Sequence, residues 1–129
     1  MLYELAAIAR VANPLAAHVE AKELATTLGK MIIRNNGVVR EVIGLGLKPL
    51  PKIFKKAGER HFQGSHFVIL FDSSSAVQRE ILRSLKNDPR VIRSFLTKVD
   101  DSKNYNAGSS VTRAIKAIKE HGYEKSIPL

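Results

Sequence analysis

The chain has no cysteine and no tryptophan, few other aromatics, and only 12 Asp and Glu against 21 Lys and Arg. Without cysteine there is neither a disulfide framework nor a thiolate site, so nothing favours a secreted, stapled scaffold. No apolar run is long enough to span a bilayer as a helix, so a membrane-embedded reading fails. The shortage of acid leaves a formal net charge of +9. That balance calls for a polyanionic partner, and rRNA, DNA or an anionic lipid surface all fit on charge alone.

What is present is ordinary for a globular chain: 129 residues, 44% apolar and 26% charged, enough for one core with a modest tail. The opening Met1-Leu2-Tyr3-Glu4-Leu5 has neither the basic and apolar regions of a signal peptide nor an Arg- and Ser-rich leader. If the protein enters an organelle, its address is expected to be uncleaved or absent from this chain.

Hydrophobic periodicity divides the chain. Leu2 to Val11 alternates, with Tyr3, Leu5, Ala7, Ala9 and Val11 on one face, and reads as a strand. Asn13-Pro14 is expected to cap a helix whose stripe is Ala17, Ala21, Leu24, Leu28 and Ile32, with Gly37 as its left-handed stop. Val38 to about Leu47 reads as a second strand, loosened by Gly44 and Gly46. Pro49 and Pro51 place its far end at a sheet edge or beyond. Phe62 to Phe71 is a third, more apolar strand. Ser75 and Gln78 suggest a capping box for a second helix with Val77, Ile81 and Leu85 inside. Asn87-Asp88-Pro89 ends it, and Arg90 to Val99 makes a fourth strand.

Two amphipathic helices with one sheet face to cover predict an α+β, ferredoxin-like two-layer sandwich over residues 1–99. Residues 100–129 read as a polar linker and a short C-terminal helix capped at Ser109-Ser110. Its stripe, Val111, Ala114, Ile115 and Ile118, needs burial, so Val111, Ile115 and Ile118 are expected to meet a partner.

Two basic clusters are the candidate RNA contacts. The first, Lys48, Lys52, Lys55, Lys56 and Arg60, sits in what reads as a loop around the prolines, where ammonium groups can meet phosphates without exact geometry. The second includes Arg90 and Arg93, whose planar forks suit bidentate phosphate contact, although Glu80 and Asp88 are at hand to pair with some of its cations. No catalytic constellation appears. His18, His61, His66 and His121 lack metal-site spacing, and Ser73-Ser74-Ser75 has no glycine elbow. No enzyme activity, metal or cofactor is expected. The RNA-recognition signature is also poorly met: Gln63 to Leu70 keeps only Gly64, Phe67 and Val68 of it.

Several short stretches together resemble the bacterial-type small-subunit ribosomal protein six family. They are Tyr3-Glu4, Gly46-Leu47-Lys48 to Pro51, His66-Phe67, and Asn87-Asp88 through Val91-Ile92-Arg93-Ser94. The resemblance implies a structural constituent of the small ribosomal subunit that binds rRNA and pairs with ribosomal protein eighteen, the tail reaching other small-subunit proteins. Lys48 matches the family's basic strand edge, and Arg93 its closing-strand arginine. The lysine-rich stretch from Pro51 to Gln63, the tail, and Val77 to Arg83 look like the fungal mitochondrial version, which implies a mitochondrial location. A ferredoxin-like regulatory or small-molecule-binding module is the alternative, for which the sequence offers no polar pocket.

Overall fold

The computed structural model describes residues 1–11, 13–100 and 108–121. Four strands form one antiparallel sheet in the order β2-β3-β1-β4: β1 is Leu2–Ala9, β2 Val38–Lys56, β3 Glu59–Asp72 and β4 Val91–Val99. Helices α1 (Ala17–Arg34) and α2 (Ser75–Asn87) cover one face, and α3 (Ser110–His121) lies C-terminal to β4. The expected two-layer sandwich is present.

Its core follows from the periodicities. Tyr3, Leu5, Ala7 and Ala9 of β1 and Phe67, Ile69 and Phe71 of β3 alternate inward. They meet the stripes Ala21, Leu24, Leu28, Ile32 of α1 and Val77, Ile81, Leu85 of α2. Burying each large side chain is worth roughly 1.5–3 kcal/mol, enough to hold an 18-residue helix that lacks a side-chain N-cap. Tyr3 and Phe71 face each other in register, ring centroids 5.8 Å apart. On the sheet face away from α1 and α2, Leu70 joins Leu2 and Val99 in a second, small buried cluster.

Several local expectations are corrected. Asn13 Oδ1 accepts from Leu15 N (3.1 Å), so it caps a 3-10 turn (Pro14–Ala16) rather than α1. Asn36, with φ +62°, takes the left-handed position assigned to Gly37. Gly37 is needed for closeness instead: a Cβ there would lie 2.6 Å from the Asp72 carbonyl oxygen. Ser74, one residue earlier than expected, is the N-cap of α2 and accepts from Val77 N.

The largest correction concerns the basic loop. β2 does not stop near Leu47 but runs to Lys56, and β3 begins at Glu59. Ala57 (φ +53°) and Gly58 (φ +78°) make a two-residue turn with both φ positive, the geometry that matches strand twist in tight hairpins. Pro49 and Pro51 are tolerated because β2 has a neighbour on one side only. The ladder skips between Pro49 and Phe54. The distal hairpin reaches past β1 toward β4 and α2. Arg10 Nη1 donates to Glu59 (3.4 Å), and Lys56 Nζ to the Lys86 carbonyl at the end of α2 (2.6 Å).

Candidate nucleic-acid interface

A lysine on a hairpin edge keeps its ammonium in water unless a partner draws it in, and this hairpin sorts its cations accordingly. Lys48, Lys52, Lys55 and Arg60 are exposed. Lys56 is half-buried with its ammonium on the Lys86 carbonyl, where it satisfies an orphan acceptor at a helix C-terminus. Four of the five first-cluster residues therefore face solvent, and Lys56 braces the hairpin against α2.

The two basic clusters, separate in sequence, meet at Phe54. Lys52 Nζ sits 5.5 Å from the Phe54 ring centroid and the Arg93 guanidinium 4.6 Å from it. Each cation is held by the ring's negative face, which orders it without neutralising it. Arg93 Nη1 also donates to the Ile92 carbonyl (3.0 Å). Phe54 carried no functional signal in the sequence, because its role depends on the curl of the hairpin.

Arg90 is differently placed. Its Nε and Nη2 donate to the two oxygens of Asp88 at 3.1 and 2.8 Å, and its backbone N–H donates to Oδ1 at 2.9 Å. The side-chain hydrogen bond raises the Arg90 pKa above its ordinary value and, against the opposing effect of burial, lowers that of Asp88. This fork ties the turn between α2 and β4.

The uncovered sheet face carries rows set by register. One is Arg93, Ile8 and His66, the next Phe95, Ala6, Val68 and Ile43, and the third Thr97, Glu4, Leu70 and Glu41. The third row receives the N-terminus of α3. Ser109 N donates to Glu41 (3.3 Å) and Ser110 N to Glu4 (3.1 Å). The Ser110 hydroxyl reaches Glu4, and the Thr112 hydroxyl donates to Glu41 (2.7 Å). Two carboxylates thus satisfy orphan N–H groups at the positive end of the helix. Ser109 is fully buried and its Oγ accepts from Thr112 N, so Ser109 is the expected cap. Beyond this clamp the helix is bare: Val111 is half-buried, while Ile115 and Ile118 are 47% and 38% exposed.

Among the described residues no group of three or more His, Asp or Glu could hold a metal ion, and no helix is long and apolar enough to cross a membrane. The surface so built is a cationic hairpin, an apolar sheet face and an amphipathic helix, suited to contact rather than bond-making.

Comparison with known proteins agrees with this character. The family model described as ribosomal protein S6 matches residues 2–98. The chain is 40% identical over 103 residues to small ribosomal subunit protein bS6m of Neurospora crassa, covering 80% of this chain and 85% of that protein. It is 29% identical over 70 residues to the bS6m protein of Drosophila melanogaster, covering 54% and 48%. The 30S ribosomal protein S6 of Thermotoga maritima shares the fold, with a TM-score of 0.63 at 20% identity over 90% of this chain and 95% of that one.

Proposed function

The chain belongs to the ribosomal protein S6 family, a family of structural proteins and not of enzymes, and from that premise we propose that it is built into the mitochondrial small ribosomal subunit as an rRNA-binding constituent. Its location follows that of its fungal and insect relatives. The carrying observation is the extended hairpin, which presents Lys48, Lys52, Lys55 and Arg60 to solvent and unites Lys52 with Arg93 at Phe54. Cations on a rigid two-stranded ribbon meet successive phosphates with little side-chain ordering left to do, and each contact releases counterions.

Protein partners are proposed beside this RNA contact. Ribosomal protein eighteen of the small subunit is the proposed neighbour of the domain. Ile115 and Ile118, exposed on a clamped helix, are proposed to seat against another small-subunit protein. The test is sedimentation of epitope-tagged full chain from lysed mitochondria. It is expected in the small-subunit peak and to leave it when the rRNA is digested. Recovery only as free protein would exclude the reading.

A further inference from the structure

We propose that the uncovered sheet face is a track for single-stranded RNA, with Phe95 as the platform on which an unpaired base stacks. This rests on the rRNA-binding reading and adds to it: the hairpin reads phosphates, whereas this face would read a base. Phe95 stands on β4 with 69% of its surface exposed, an unusual state for the largest apolar side chain of a sheet row. Its cross-strand neighbour is Ala6, too small to cover the ring. The missing bulk leaves a hollow of about 200 Å³ whose walls include Phe95, Ile8, Leu45, His66 and Val68, with Arg93 at its rim. Ring-sized and almost wholly apolar, it suits a planar base entering face-on. His66 adds one polar edge, its Nδ1 lying 3.2 Å from the Gly64 carbonyl oxygen.

The ring is also a partition. On its other side lies a second hollow of about 390 Å³, bounded by Glu4, Thr97, Lys98, Ser110 and Arg113 of the clamped helix. Phe95 therefore sits between Arg93 on one flank and Arg113 on the other. Lys52 extends the cationic line through Phe54, and Lys48 lies opposite Gly64 at the same end of the face. An aromatic platform inside a row of cations is the arrangement by which proteins hold single strands without reading sequence. The cations select RNA over an apolar peptide side chain, which would gain from the hollow but not from its rim.

The sequence test for RNA recognition failed because it looked for aromatics on β3; the exposed ring is on β4. The probe is a short single-stranded RNA oligonucleotide carrying one fluorescent adenine analogue, bound to the full chain, to Phe95→Ala and to Phe95→Trp. Phe95→Ala should weaken binding roughly tenfold or more, remove the stacking quench, and leave the slope of log K against log salt unchanged, since no charge is lost. Phe95→Trp should keep both affinity and quench. Melting curves of the variants, expected to match the parent for so exposed a residue, exclude unfolding. If Phe95→Ala binds like the parent, the track is wrong while the hairpin reading stands. If it instead loses only a ribosomal-protein neighbour, the hollow is a protein seat and the proposal falls. Failure of the parent chain to bind any RNA would overturn both readings together.

Discussion

Ala57 holds φ at +53° beside Gly58 at +78°, a left-handed pair in which only the second residue is free of Cβ strain. Asn is preferred at the first position of such a turn, because its side chain tolerates that region. Ala57→Asn should therefore stabilise the protein by about 0.5–1 kcal/mol, seen as a higher denaturant midpoint at unchanged m. No gain would mean that the hairpin tip does not adopt this turn. Asp88 carries the pH-dependent residue-scale claim. Its folded pKa lies below the ordinary 3.8 because Arg90 donates to it, and burial only partly opposes this. A group lowered in this way contributes stability that is complete above its unfolded value and lost as pH falls through the folded one. Asp88→Asn should thus reduce stability at neutral pH and flatten the decline below pH ~4. An unchanged acid limb would show that the fork contributes nothing.

At the scale of elements, α3 is the test piece. Its N-terminus is tied to β1 and β2 through Glu4 and Glu41, yet the rest of its surface is open. Cutting the chain after Val99 removes hydrogen bonds to exposed or half-buried carboxylates and little core. The melting temperature of the isolated domain should move by only a few degrees, while incorporation into the small subunit drops. A collapsed domain after truncation would make α3 part of the core. The elements that were legible in the sequence owe it to local period: the stripes of α1 and α2 and the alternation of β1 each repeat within the element. The hairpin was not legible, because Pro49, Pro51 and Gly58 read locally as breakers. Only the sheet order, which leaves β2 with one free edge, makes prolines acceptable inside a strand. The clamp was hidden for the same reason, since Glu4 and Ser110 are brought together only by the fold.

For the whole molecule, the net charge of +9 becomes a directional property once the fold is known. Arg10, Arg90 and Lys56 are spent internally, on Glu20 and Glu59, on Asp88, and on the end of α2. Lys48, Lys52, Lys55 and Arg60 remain exposed along one ribbon. Of the seven cations read as RNA contacts, we propose these four with Arg93 as the RNA-facing set, since Arg90 and Lys56 already hold internal partners. The measurement that bears most directly on the account is rRNA affinity as a function of salt, for the parent chain and for Lys48→Glu/Lys52→Glu/Lys55→Glu. Each phosphate contact contributes about −0.7 to −0.9 to the slope of log K against log salt. The parent should show a steep slope and the variant one shallower by roughly 2–3, its fold preserved because Lys56 is untouched. Equal slopes for the two proteins would contradict it, and the hairpin would then be a solvated edge rather than the RNA contact.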